Sequence, residues 1–300
     1  MELDGMHYTQ LPRRLIELSG DEAAVFLQGL VSNDVSRLHK GDAVYAALLT
    51  PQGKFLHDFF LLSWQNSILI DCDRDALPDL LSRLTMYKLR SKVIIAALPE
   101  NRGVAAIWGN QEPEIRNQKP EIRIFPDPRL AQMGWRAVGE IEAVKSWCSD
   151  QKAGQNSSED YDRLRLELGV PEGARDMIRE KSLLLEFGFE DLHGVDFRKG
   201  CYVGQEVTAR SKYRGQVRKF IYQAHAADAL PLPGTPVMLE GVPAGELRSS
   251  AGNIGLALLN VAMVEKAQAG NMNFHAEGIA FKPTLPPWVA HPPKALVAAE

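Results

Sequence analysis

"KGCYVGQE" (199–206) places a lone cysteine between two glycines and follows it with an amide and a carboxylate. Glycines on both sides of Cys-Tyr-Val predict a shaped turn, one whose backbone takes a positive φ or passes close to another group. Arg198 and Lys199 bring positive charge, which favours thiolate at Cys201, the form a nucleophile or metal ligand needs. No histidine stands beside the cysteine in sequence, and a free cysteine is often only a small buried hydrophobe. Both readings of Cys201 are open at this level.

Working outward, the segment before the motif, "RLRLELGVPEG" (163–173), has an apolar helix stripe through Tyr161, Leu164 and Leu168, with Glu167 just ahead of a Gly-Val-Pro exit. A carboxylate at a helix C-terminus opposes the helix dipole. Glu167 is therefore a candidate for accepting two parallel hydrogen bonds from a flat, N–H-bearing ring such as a pterin or guanine edge. The competing reading is a salt bridge to Arg163 or Arg165. After the motif, Arg210, Lys212, Arg214, Arg218 and Lys219 form a basic run without an acid, interleaved with Tyr213. That run suits either phosphates of RNA or the solvated side of a strand.

From Phe220 onward the pattern is one of short strands broken by Gly and Pro, in "FIYQAHA", "GTPVMLEG", "GELRSSAGNIGLALL" and "NMNFHAEGIAF". This all-β punctuation predicts a small C-terminal barrel. The tail beyond Lys282 carries five prolines and is expected to wrap the surface or fray. The first hundred residues instead alternate strands and helices. "RRLIELSG" reads as a strand, and Ser19 or Asp21 is expected to cap a helix through Leu30. "AVYAALLT" and "FLHDFFLLS" form a hairpin around Pro51, Gln52 and Gly53, "SILIDCD" is a third strand, Leu77, Leu80, Leu81 and Leu84 mark a second helix, and "KVIIAAL" closes the layer. In the hairpin, alternation puts Asp58 on one strand face and His57 on the other, so a polar group interrupts each apolar face. Both are candidates for orienting or protonating an amine-bearing ligand, or for an edge-strand pair in partial solvent. From Arg102 to Leu168 a looser version of the same rhythm recurs, with "SDQKAGQNSSED" (149–160) expected as a mobile loop. The expected domains are therefore 1–100, 101–219 and 220–300, in an α+β chain.

Composition sets the outer bounds. Three hundred residues, 45% of them apolar, exceed what one core usually organises. With 34 basic and 38 acidic residues the net charge of -4 gives no global drive toward nucleic acid or an anionic membrane. Cys72, Cys148 and Cys201 lie far apart, without a C-x-x-C pair or metal-ligand spacing, so neither a disulfide framework nor a metal site is expected. The first residues lack a signal-peptide core, and no run approaches the roughly 20 apolar residues of a membrane span. The expected setting is the cytosol of a bacterium or an equivalent reducing compartment, the mitochondrial matrix if the source is eukaryotic.

"KGCYVGQE" followed by "TAR" resembles the signature of the YgfZ-type folate-binding proteins of iron–sulfur cluster assembly, a branch of the superfamily of the glycine-cleavage T-protein. "FLQGLVSNDV" (26–35), "TPQGKFLHDF" (50–59), "YKLRSKV" (87–93) and "LRLELGVP" (164–171) resemble family segments in the same order. The resemblance implies three domains in a ring around a central cavity that holds tetrahydrofolate or a one-carbon derivative, with a C-terminal β-barrel. It implies a helper of [4Fe–4S] proteins with transient partners, either client proteins or assembly factors, acting as a monomer. Glu167 matches the pterin-binding glutamate of the T-protein "RLEAG" segment, with Leu168 in place of the alanine. Asp58 matches the second acid of "GG-x-x-DD", where this chain has Gly53, Lys54, His57 and Asp58, so one glycine and one acid are gone. That departure argues against aminomethyl transfer, the alternative activity; an RNA- or protein-binding module using the basic run is the other alternative. The residues expected at folate are Glu167, Asp58, His57, Lys199, Tyr202 and Gln205, and those expected to carry the chemistry are Cys201, as the functional thiol, and Asp58.

Overall fold

The computed structural model of the protein describes residues 5–40, 42–115, 121–213 and 217–294. The chain opens with strands β1 (Met6–Gln10) and β2 (Arg13–Ser19), helix α1 (Ala23–Gln28), strands β3 (Val44–Leu49), β4 (Phe55–Trp64) and β5 (Ser67–Asp73), helix α2 (Leu77–Lys88) and strand β6 (Ile94–Ala97). There follow β7 (Arg102–Gly109), β8 (Ile122–Pro126), β9 (Trp135–Glu140), α3 (Ile141–Asp150), β10 (Gly154–Gln155), α4 (Ser158–Glu167), α5 (Gly173–Asp176) and α6 (Gln205–Tyr213). The last part holds β11 (Lys219–Ala226), β12 (Pro236–Leu239), β13 (Val242–Ala251), β14 (Ile254–Asn260), α7 (Val261–Gly270), β15 (Phe274–Ala276) and β16 (Ile279–Thr284). Two compact units result: Met1–Leu48 with His57–Tyr161 and His193–Val203, and Leu49–Leu56 with Asp162–Leu192 and Gly204–Glu300.

The first unit is built on two five-stranded sheets, ordered β3-β4-β5-β2-β6 and β10-β1-β7-β9-β8. β3 is buried throughout and β4 from Phe55 to Leu62, which is why their sequences run apolar without clean alternation. β1 leaves the first hundred residues to pair antiparallel with β7, Tyr8 opposite Ile107, so a strand crosses the boundary expected at 100/101. On that second sheet Tyr8, Ile107, Ile124 and Ala137 pack with Val144 and Trp147 of α3 into one core. α2 follows the predicted spacing, with Leu80 and Leu84 buried and a proline in its first turn. α1 departs from expectation at its start: Glu22 is the N-cap and no side chain caps it, neither Ser19 nor Asp21.

The segment 149–160 is not the loose loop that its polar composition suggested. Gly154 and Gln155 pair in parallel with His7 and Tyr8, the amide of Asn156 donates to the Tyr8 carbonyl at 2.9 Å, and Asn156 Oδ1 lies 2.9 Å from His7 Nδ1. A strand edge needs partners for its amides and carbonyls, and this segment supplies them.

A buried ionic cluster joins the two sheets of this unit. Arg13 of β2 and Arg136 of β9 both donate to Asp71 of β5, while Arg129 donates both Nε and Nη2 to Asp127 at 3.0 and 2.8 Å. The three guanidinium carbons lie 5.3, 4.0 and 5.0 Å from the centroid of the Phe60 ring, for Arg13, Arg136 and Arg129 in turn. Such charges tolerate burial because each is paired and hydrogen-bonded.

The second unit contains a closed six-stranded barrel, β11-β14-β13-β12-β15-β16. The change to all-β punctuation near residue 220 marks its start, with Phe220 opposite Leu259 and Tyr222 opposite Ala257. One helix, α7, interrupts the β pattern; the Asn260 side chain accepts the Met263 amide as its N-cap, and Val261, Val264 and Ala267 are buried at helical spacing. The proline-rich tail is tied down within this unit. Trp288 Nε1 donates to the Leu168 carbonyl at 3.0 Å, and the amides of Ala290 and His291 donate to Asp191 Oδ2.

Candidate functional site

The region around the motif is organised by the segment that follows α1. Past a helix end, carbonyls need donors from elsewhere. Lys199, from a position more than 160 residues away in sequence, provides them: its Nζ donates to the carbonyls of Gln28 (2.9 Å), Val31 (2.5 Å) and Asn33 (2.9 Å). An ammonium has three N–H donors, and here all three are used. The Tyr202 ring centroid lies 4.9 Å from the same Nζ, and Tyr202 is itself buried. Further bonds extend the seam. The Val203 amide donates to the Gly29 carbonyl, the Asp196 amide to Ser32, Ser32 Oγ to Gly194, and Asn33 Nδ2 to the carbonyls of Tyr45 and His193. "FLQGLVSNDV" is therefore the receptor on which residues 193–203 dock.

Between the two buried anchors, Cys201 is exposed. Cys72 and Cys148 are buried, and burial pushes each of those thiols up to about 12. The packing reading of Cys201 is thereby set aside: this cysteine is displayed. The expected charge arrangement is corrected, because Lys199 points into its carbonyl cradle and only Arg198 of the pair is exposed. Burial also brings the Lys199 ammonium down to about 8, with Asp34 and Asp196 pulling the other way. As a cofactor ligand Lys199 does not fit, since its donors are spent on backbone.

The two glycines of the motif differ. Gly204 has φ +82°, and a Cβ there would lie 2.5 Å from the Thr50 carbonyl oxygen and 3.1 Å from Gly53 Cα. Gly53 also has positive φ, and a Cβ on it would meet Val207 at 2.7 Å. The "TPQG" turn and the N-terminus of α6, where Gln205 sits, thus touch through glycine. Gly200 needs no such explanation; a Cβ there meets nothing within 4 Å.

His57 and Asp58 are not an edge-strand pair in solvent. β4 lies between β3 and β5, and the two residues are 2% and 5% exposed. The Tyr45 hydroxyl donates to Asp58 Oδ2 at 2.8 Å, and burial together with this carboxylate raises the tyrosine well above its ordinary value. His57 Nε2 lies 2.6 Å from Asp79 Oδ2, which also takes Arg83 Nε at 2.8 Å. Burial opposes the charge on Asp79, but the hydrogen bonds from Arg83 and His57 outweigh it and hold the carboxyl below its ordinary value.

Glu167 falls in the second unit, at the end of α4. Its Oε1 takes Arg163 Nε at 2.9 Å, so the salt bridge weighed from sequence exists, and 35% of the carboxylate side chain remains exposed. Arg165 makes a different choice: it is buried, donates to Asp176 at 2.7 Å, to Asp162 at 2.8 Å, to the Val170 carbonyl and to Ser249. The carbonyls at the helix end are satisfied by Gln223 Nε2, at 3.2 Å from Leu166 and 2.9 Å from Glu167. Thus Cys201, Lys199, Tyr202, His57 and Asp58 belong to the first unit, and Glu167 and Gln205 to the second.

The basic run acquires acids in three dimensions. Arg210 lies 3.8 Å from Glu206, and Lys212 pairs with Glu190. Arg214 lies outside the described residues. No helix among the described residues is long and apolar enough to cross a membrane.

The whole arrangement defines a protein of the glycine-cleavage T-protein fold: it superposes on the glycine cleavage system aminomethyltransferase T of Bartonella henselae with a TM-score of 0.78 over 99% of this chain and 89% of that one, at 15% identity. Residues 216–291, which include the barrel, match the family of the CAF17 C-terminal beta-barrel domain. In sequence the chain is 34% identical over 270 residues to the human mitochondrial iron-sulfur cluster assembly factor IBA57, covering 82% of this chain and 75% of that protein. It is 36% identical over 252 residues to the mitochondrial IBA57 homolog of Neurospora crassa, covering 77% of this chain but 56% of the relative. The chain belongs to the family of IBA57 iron–sulfur cluster assembly factors.

Proposed function

We propose that this protein is an accessory factor for the assembly or repair of [4Fe–4S] proteins, of the YgfZ type, working with bound reduced folate and meeting its clients or other assembly factors transiently. The observation that carries the reading is the display of Cys201: an exposed thiol between a buried lysine and a buried tyrosine, in a chain of this family. A thiolate is a soft ligand suited to iron. No histidine adjoins Cys201 in sequence, and an accessory thiol acting on a partner's iron or sulfur needs no base of its own. Three free cysteines suit a reducing compartment of the kind the relatives' mitochondrial names give. The test is a survey of cluster enzymes in cells from which the gene is deleted. A selective loss of [4Fe–4S] enzyme activities is expected, and unaltered activities would refute the reading.

Folate enters through Glu167. A partly exposed carboxylate that holds one arginine Nε fits the paired N–H groups of a pterin edge. Asp58, buried and occupied by Tyr45, acts behind the surface, and His57 is likewise turned to Asp79. When bound, reduced folate supplies a one-carbon carrier. Calorimetry with tetrahydrofolate is expected to show binding that Glu167→Gln weakens by about 10–100-fold, the range of a hydrogen bond to a charged group. Equal affinity in both proteins would remove Glu167 from the site. Lys54 and His57 stand where the T-protein pattern has a glycine and an acid, so purified protein with tetrahydrofolate and an aminomethyl-lipoyl carrier is expected to show no turnover.

A further inference from the structure

We propose that Lys199 is a positioning residue for Cys201, acting as a clasp that fixes the displayed thiol to the segment after α1; this rests on the reading of Cys201 as the functional thiol. The geometry is that of a clasp in three respects. All three donors of the ammonium are spent on carbonyls of Gln28, Val31 and Asn33, which span six residues of one segment. No carboxylate among the described residues is in hydrogen-bond contact with Nζ, so the contacts are directed at backbone and fix position rather than cancel charge. The thiol sits two residues further on, with Gly200 between and open space around that glycine, so the exposed stretch 200–201 is short and held at each side, by Lys199 and by the buried Tyr202 with the Val203 amide on Gly29.

A side chain that filled the same volume without donors would leave three carbonyls without their cation and the loop without its nearer anchor. The remaining seam, through Asp196, Ser32 and Asn33, would still keep residues 193–196 in place. The effect of losing the clasp is therefore confined to the loop.

The experiment uses a nitroxide spin label on Cys201 of the full chain, the other two thiols being buried. Wild type is expected to give a broadened, immobilised spectrum and Lys199→Met a narrowed one, with exchange of the Val203 amide at least about tenfold faster, the lower end of what hydrogen bonds to a charged group contribute. Lys199→Arg is the second variant, in case the methionine variant does not fold. It keeps the charge, but its planar fork cannot face three carbonyls at once, so a spectrum between the two is expected. Superimposable spectra and equal exchange in every variant that folds would overturn the clasp. Because these readouts do not involve cluster assembly, failure of the clasp leaves the proposed function standing. A loosened loop in cells whose cluster enzymes ignore Cys201 would instead remove that function and leave the anchoring intact.

Discussion

Each unit of this protein contains a buried cation, and the two are held in opposite ways. Arg165, in the second unit, is gripped by Asp176 and Asp162, and those carboxylates raise its already high basicity further against the opposing effect of burial. Lys199, in the first, is gripped only by neutral carbonyls. The first arrangement cancels charge and anchors a core. The second satisfies backbone and aims a loop. Removing a partner from an arginine node strands a charge, whereas removing the lysine removes the charge together with its contacts.

The largest consequence is expected at the node. Asp176→Ala leaves Arg165 with one carboxylate fewer and Ser249 Oγ without its acceptor, and denaturant unfolding is expected to show a loss of about 3–5 kcal/mol. A loss no larger than that of Lys199→Met would break the contrast. Next come the motif glycines, which separate by geometry. Gly204→Ala is expected to cost about 1–3 kcal/mol, because it demands positive φ and drives a Cβ into the Thr50 carbonyl. Gly200→Ala is expected to stay within about 0.5 kcal/mol of wild type by the same measurement.

A smaller, chemical difference separates the thiols. Alkylation of native protein followed by peptide mapping is expected to modify Cys201 first, with Cys72 and Cys148 reacting only on unfolding, because burial shields them and holds them protonated. The smallest effect concerns the tail. Asp191 accepts His291 Nδ1 at 2.7 Å and raises that imidazole above 6.5. A raised basic group contributes stability that is fully present below its unfolded value of 6.5 and is lost as the pH climbs through the folded value. An NMR titration is expected to place His291 above 6.5 and Asp191→Asn to bring it back.

Much of this architecture was legible from pattern. The apolar runs and turn residues of β2 to β6 and the change at Phe220 announced the sheet and the barrel, since strand periodicity and Gly/Pro punctuation are local signals. The contacts that assemble the site were not legible in this way. Asp71 finds Arg13 and Arg136 from 58 and 65 residues away, and Lys199 finds Gln28 from 171. Nothing local distinguishes a lysine bound for a carbonyl cradle from one bound for solvent, so Lys199 and Arg198 read alike. Tyr45 as the partner of Asp58 and Asp79 as that of His57 leave no local signal for the same reason. α7 carried its signal openly, in Asn260 followed by Val261, Val264 and Ala267, and was hidden only by the β punctuation around it.

In the proposed function the displayed thiol, and not merely a cysteine-containing fold, does the work. Cells lacking the gene and complemented with Cys201→Ser or with Cys148→Ala compare the exposed thiol with a buried one, read by the activity of a [4Fe–4S] enzyme that the deletion impairs. Cys148→Ala is expected to restore that activity and Cys201→Ser is not. Full restoration by Cys201→Ser would contradict the proposed function.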